Sequence, residues 1–238
     1  MSASQDKKKR QEAREAGTER HQLAAEKEAR EQHKSKVRWT IVSILVALLI
    51  VLILVVNSGL IYSVLPAVRI GDVSYTNAEY QYYYYSSYYS FCNNYSNYLS
   101  YFSLSTTSSL SSQSVDPTYL SLFGITVPDS LSGATDATWA DYFRETALSS
   151  MKQITALYEK AVAAGYTLSD TDSASIDEQI ANFDTYAQSG NYSSAKQYIT
   201  AAYGRGCTEK TIRHLMEMQY IASAYTKDTY DGFTYTPE

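Results

Sequence analysis

Hydrophobic and polar positions alternate with three different rhythms along this chain. From residue 5 to residue 36 the sequence is built mostly of Lys, Arg, Glu, Gln and Ala, and its few apolar residues, such as Leu23, Ala24 and Ala25, make no sustained heptad. A pair such as Glu26 and Arg30 at i,i+4 favours helix, but a helix with no packed face is marginal in water. A solvated, partly helical tail is therefore expected, with a coiled-coil partner as the alternative. Trp39 to Val56 is then apolar or small throughout, Asn57-Ser58-Gly59 interrupts it, and Leu60 to Leu65 resumes it before Pro66. After Pro66 the rhythm shortens: Val68–Ile70 and Val73–Tyr75 alternate around Gly71-Asp72, which predicts a small β-hairpin.

The remainder reads at helical period. Thr76-Asn77-Ala78-Glu79 has the spacing of a capping box, in which hydroxyl and carboxylate satisfy the free amides of a helix start. The helix it opens is expected to run from Asn77 to about Phe102, with Tyr80, Tyr84, Tyr88, Phe91, Tyr95, Tyr98 and Phe102 along one face. Tyr82, Tyr85 and Tyr89 fall on another. Ser103 to Ala137 is rich in Ser, Thr, Gly and Asp and is broken by Pro117 and Pro128, so it reads as an irregular insertion, either mobile or pinned by Tyr119, Leu120, Leu122 and Phe123. A second helix is predicted over Trp139–Ala164, with Phe143, Ala147, Met151, Ile154, Tyr158 and Ala161 on one side and Gly165 as its stop. A third follows Leu168-Ser169-Asp170 and places Ile176, Ile180, Phe183 and Ala187 together. A fourth spans Ser193–Tyr203 and is ended by Gly204-Arg205-Gly206. A fifth runs from Thr208 to about Tyr230, with Ile212, Leu215, Gln219, Ala222 and Tyr225 inward. The fold class is all-α with a short N-terminal hairpin, about five helices packed around the aromatic one.

Charge divides the 238 residues in the same places. Residues 1–38 hold eleven Lys/Arg against seven Asp/Glu, residues 67–238 hold nine against eighteen, and no charge lies between. Three regions follow: a charged tail over 1–38, a transmembrane signal anchor over 39–65, and a helical domain over 67–238 with its insertion at 103–137. Eighteen to twenty-seven helical residues cover roughly 27 to 40 Å, enough for a hydrocarbon core of about 30 Å. Trp39 and Tyr62 stand near its two ends, where amphipathic rings favour the interface. A cleaved signal peptide normally has an apolar region of only about 7 to 15 residues, so an uncleaved anchor is the preferred reading. Membrane lipid is thus a partner through residues 39–65, and Lys34, Lys36 and Arg38 could touch anionic headgroups. Basic residues before the span and an acidic domain after it place the N-terminus in the cytoplasm and the domain outside. The acidic domain also argues against nucleic acid as a partner.

Catalytic chemistry finds little footing. Gly204-Arg205-Gly206 lacks the Lys and Ser/Thr of a phosphate loop, and Asp170 and Asp172 lack the later ligands of a calcium loop. His214 stands alone on the last helix, seven residues from Cys207. No cofactor or metal motif is present, and no catalytic residue is assigned. Cys92 and Cys207 could meet in one disulfide or remain separate thiols. The surplus of rings is more informative. One core stripe uses about seven aromatic side chains, which leaves Tyr82, Tyr85 and Tyr89 either to cover neighbouring helices or to bind peptide, since a tyrosine ring gives contact area with little entropy loss.

The run Val68-Arg69-Ile70-Gly71-Asp72-Val73-Ser74-Tyr75-Thr76-Asn77-Ala78-Glu79-Tyr80 resembles the start of the SurA and PrsA type of extracytoplasmic foldase, where a short strand and glycine turn lead into the first long chaperone helix. Ala164-Gly165-Tyr166-Thr167-Leu168-Ser169-Asp170 resembles that family's link between second and third helices, and Tyr203-Gly204 with Cys207-Thr208-Glu209-Lys210-Thr211-Ile212-Arg213 resembles the approach to its last helix. Together these cover about residues 67–235. The resemblance implies an ATP-independent, client-binding chaperone module at the outer face of a membrane, with unfolded or newly exported polypeptides as partners. The parvulin-type prolyl isomerase domain of the longer foldases would begin where the sequence ends, at Tyr235-Thr236-Pro237-Glu238, so no isomerase residue is carried over. The alternatives are a bitopic scaffold linking partners on the two sides of the membrane and a truncated peptidylprolyl isomerase.

Overall fold

The computed structural model describes residues 3–232 and divides at Asn57 into two compact units. The first is one helix, α1 (Ala3–Asn57). It continues without a break through the charged tail, where a partly helical segment was expected; its Ala, Glu, Lys, Arg and Gln are all strong helix formers. Its stretch Lys27–Asn57 is long and apolar enough to cross a membrane, with mean hydropathy 3.2 in the apolar window and none of that window buried. The run expected as a single span over 39–65 is divided. Gly59, at φ 76°, caps a separate short helix, α2 (Leu60–Val64), which belongs to the second unit.

In that unit, β1 (Pro66–Ile70) pairs antiparallel with β2 (Val73–Thr76), Ile70 facing Val73 across Gly71-Asp72. Gly71 has φ 57°, the left-handed conformation such a turn needs at its first position. A Cβ there would lie 2.8 Å from Glu159 Oε1, the same atom that accepts from the Asp72 amide at 3.2 Å. The hairpin tip is thereby seated on α5 (Trp139–Ala163).

The capping box opens α3 (Asn77–Asn94) as its spacing predicts: Thr76 Oγ1 accepts from the Glu79 amide at 3.3 Å, and Glu79 Oε2 accepts from the Thr76 amide at 2.7 Å. The helix stops well short of Phe102. Asn93-Asn94 and Ser96-Asn97 are weak helix formers, and the chain passes through successive turns from Tyr95 to Ser103. Of the expected stripe, Phe91 and Phe102 are buried, Tyr80, Tyr84, Tyr88 and Tyr95 are half-buried, and Tyr98 is 53% exposed.

The insertion is folded. Ser114 bridges to Thr138, the Val115 amide donates to Ala137 O at 2.9 Å, and the Trp139 amide donates to Gln113 O at 3.0 Å, closing the base of the loop. The Gln113 side chain accepts from the Ser105 amide and donates to the carbonyls of Ser105, Ser108 and Ser109. A short helix, α4 (Pro117–Leu122), lies within it. Of the four residues expected to pin the insertion only Leu120 is buried; Leu122 is 78% exposed, and Leu104, Val115, Ile125 and Leu131 do the remaining anchoring. They join Phe91, Phe102, Trp139, Tyr142 and Phe143 in one largely aromatic cluster.

Three helices complete the unit, α6 (Asp170–Ser189), α7 (Ala195–Tyr203) and α8 (Glu209–Asp231). Each starts at a serine or threonine that accepts from an amide three residues on: Ser169, Ser194 and Thr208. On α8 the buried residues are Ile212, Leu215, Met218 and Ala222. Gln219, expected inward, is exposed because Met218 takes the core position. A second cluster joins hairpin, α3, α5 and α8 around Tyr75, Tyr83, Ala147, Met151, Leu215 and Met218. A third joins α6, α7 and the start of α8 around Phe183, Ile199, Cys207 and Ile212. Among the described residues the protein is mostly all-α, with a single two-stranded sheet.

Candidate binding groove

The expected binding face of α3 is not bare. Tyr82 reaches Tyr203 of α7 with ring centroids 5.1 Å apart and packs against both the second and the third cluster. Tyr89 lies edge-on to Tyr203 at 6.1 Å and donates its hydroxyl to Ala202 O at 3.0 Å, while remaining 38% exposed. Tyr85, half-buried, stacks on Tyr89 at 6.3 Å and meets Tyr84 edge-on. Tyr82 and Tyr89 seat α7 on α3, and Tyr85 backs Tyr89. Burial raises the phenol pKa of Tyr82 and Tyr89 above the ordinary value, so both are protonated at neutral pH.

Cys92 and Cys207 are free thiols in different clusters. The disulfide that sequence left open is therefore not formed. Burial pushes the Cys207 thiol up to about 12 and raises that of Cys92, leaving both as weakly acidic thiols with little thiolate character.

A groove of about 610 Å³ runs beside these rings, between α3 and α5, with Ile125, Thr126 and Pro128 of the insertion at one end and Gln219 of α8 at the other. Its apolar wall is made by Tyr83, Phe91, Tyr95, Tyr142 and Ile154. Its polar wall holds Ser86, Ser87, Ser90 and Asn94 from α3 and Thr146, Ser149, Ser150 and Gln153 from α5. None of the lining residues is Asp, Glu, Lys, Arg or His. Ser87 and Thr146 donate to backbone carbonyls four residues back, at 2.8 Å each. Ser90, Asn94, Ser149, Ser150, Gln153 and Gln219 show no side-chain hydrogen bond among the described residues, so donors and acceptors stand open along the channel. A further cleft of about 580 Å³ shares Ser150, Gln153, Ile154 and Gln219 and carries the groove on between α5 and α8 toward Tyr230.

The arrangement follows from sequence order. Ser86 and Ser90 follow Tyr82 and Tyr83 by four and seven residues along α3, and Ser149, Ser150 and Gln153 follow Thr146 by three, four and seven along α5, so each helix presents small polar groups to the same channel. Aromatic and aliphatic groups beside uncommitted hydroxyls and amides suit an uncharged, extended ligand whose polar groups need partners along its length. Of the sequence candidates, only Tyr82 also lines this groove. The Ser and Gln positions were missed because small polar residues on a helix ordinarily mark a solvated face, and only packing shows that two such faces oppose each other. Comparison with protein-family models, with curated proteins and with solved structures returns no match.

Proposed function

We propose that the second unit binds unfolded or newly exported polypeptide segments in the α3–α5 groove, as an ATP-independent, chaperone-like module tethered by α1 to a membrane. The groove's lining carries the reading. An extended chain presents an amide and a carbonyl at every residue together with apolar side chains, and a channel of open Ser and Gln groups beside aromatic walls answers both without selecting a sequence. Its lack of ionisable groups fits a binder of many chains, since a fixed charge would impose a specific counter-charge. Basic residues before the apolar span and the acidic unit after it support a cytoplasmic N-terminus and an extracytoplasmic domain.

The test is suppression of aggregation of a chemically denatured model polypeptide by the full chain in lipid nanodiscs. Ser149→Trp and Ser150→Trp, which fill the groove from exposed or half-exposed positions, should abolish suppression while leaving the thermal unfolding midpoint of the wild type. Failure of the wild-type chain to suppress aggregation sinks the proposal.

A second reading is favoured by the unbroken helix through the charged tail: a bitopic scaffold whose cytoplasmic helix docks a partner. Crosslinking in cells separates the two, because a scaffold captures one or two defined partners and a chaperone captures many exported chains.

A further inference from the structure

Between Arg69 and Arg144 the sequence holds no Lys, Arg or His, but six Asp or Glu. This stretch includes α3, the turns after it and the whole insertion, so none of these segments contributes a cation. At that end lies an open cleft of about 850 Å³ between the turn at Tyr101–Ser103 and the start of α4. Tyr101, 67% exposed, and Tyr119, 36% exposed, both line it. Asp116 lines it as well. One oxygen of that carboxylate, Oδ1, accepts from the Tyr119 amide at 3.0 Å and fixes the side chain; Oδ2 has no hydrogen bond among the described residues. Tyr119 is itself held in place by edge-on contacts with Phe102 at 6.3 Å and Phe123 at 4.9 Å. Aromatic faces beside an oriented carboxylate, with no competing base within the whole stretch, form the chemistry that receives a cationic side chain: the rings attract it by their quadrupole and the carboxylate by charge and hydrogen bonding.

We infer that this cleft binds arginine side chains of a polypeptide partner, so that the module selects clients carrying arginine near the segment held in the groove. Guanidinium fits better than ammonium, because it stacks flat on a phenol ring while its edge donates to a carboxylate oxygen. The inference rests on the polypeptide-binding reading above and adds a charge preference that the neutral groove does not provide.

The experiment uses the full chain in nanodiscs and two fluorescent, unstructured peptides that differ only in carrying arginine or its neutral isostere citrulline. Binding is followed by anisotropy at low and at high salt. The arginine peptide should bind the wild type about threefold to tenfold more tightly than the citrulline peptide, and the difference should shrink in high salt. Asp116→Asn keeps an N-cap that the short helix accepts and Tyr101→Ser alters a mostly exposed ring, so both variants should fold, bind the citrulline peptide as the wild type does, and lose the preference for arginine. Equal binding of the two peptides by the wild type, or a preference that survives Asp116→Asn, overturns the inference and leaves the groove reading standing. Binding of neither peptide overturns both. Self-association abolished by Asp116→Asn, with no arginine preference, assigns the cleft to a second copy and likewise overturns it.

Discussion

Tyr75 and Tyr83 share one cluster, meet edge-on at 6.2 Å and are respectively 1% and 7% exposed, yet loss of their hydroxyls should have opposite effects. The Tyr75 hydroxyl lies 2.7 Å from Thr155 Oγ1, and Thr155 donates its own proton to Met151 O at 2.6 Å. Tyr75 is therefore the donor in a short buried chain. Tyr83 has a buried hydroxyl oxygen with no hydrogen-bond partner. Replacing either residue by Phe keeps the ring and its packing, so the difference isolates the hydroxyl. Tyr75→Phe removes a net contribution of about 0.5–1.5 kcal/mol and leaves Thr155 Oγ1 with an unfilled acceptor, for a loss of roughly 1–2 kcal/mol. Tyr83→Phe relieves an unmade bond, for a gain of roughly 1–3 kcal/mol. For a unit of this size about 2–4 °C accompanies each kcal/mol, so thermal unfolding of the full chain, followed by circular dichroism, should show Tyr83→Phe above the wild type and Tyr75→Phe below it. Because the two rings touch, the departure of the double variant from the sum of the single variants measures the coupling between their hydroxyls. A lowered midpoint for Tyr83→Phe would refute the assignment of an unpartnered hydroxyl.

Three other outcomes are expected. Burial pushes the phenols of Tyr84, Tyr88 and Tyr142 up to about 12, whereas the unfolded chain ionises near 10; the unfolded state thus loses protons first, and stability present below pH 10 should decline as pH rises toward 12, by on the order of 1–2 kcal/mol for Tyr142. Urea midpoints falling across that window, together with phenolate absorbance appearing on unfolding, check this. Gly206, at φ 86°, would place a Cβ 2.8 Å from Gly59 O, so Gly206→Ala should cost roughly 1–3 kcal/mol through backbone strain and lost fit, read as a lowered midpoint. Leu120→Ala should cost about 2–5 kcal/mol by opening a cavity in the first cluster, while Leu122→Ser, at an exposed position, should stay within about 0.5 kcal/mol of the wild type; equal effects in urea unfolding would contradict the packing of the insertion.

Much of the scaffold was legible because its signals are local. The capping box at Thr76, the glycine turn of the hairpin, and the period of Phe143, Ala147 and Met151 each involve residues within one or two turns of one another. The overlong reading of α3 had the same local origin. Tyr95, Tyr98 and Phe102 continue a helical spacing, but the Asn and Ser residues between them favour turns, and of the three only Phe102 is buried while Tyr95 packs on the cluster's edge. The insertion was opaque for the opposite reason. Val115, Ile125 and Leu131 follow no period, and their common cluster depends on Gln113 gathering the backbone of residues 105–109. The groove belongs to the same class: Ser90 and Ser149 become one site only when α3 and α5 are brought side by side. Tyr82, Tyr85 and Tyr89 fall off the main stripe, but spacing alone did not reveal that α7 would pack on Tyr82 and Tyr89.

The contact between Gly59 and Gly206 also bears on the order in which the second unit can be completed. Gly59 meets its closest neighbour in a turn synthesised near the end of the unit, and the hairpin tip likewise waits for Glu159. A chain made from its N-terminus can set α2 and the hairpin against α3 early but completes these two contacts only late, and loop closure over such separations slows the final step. The ends of the unit act as a latch: until the residues around Gly206 exist, Gly59 and Tyr62 lack the backbone that faces them.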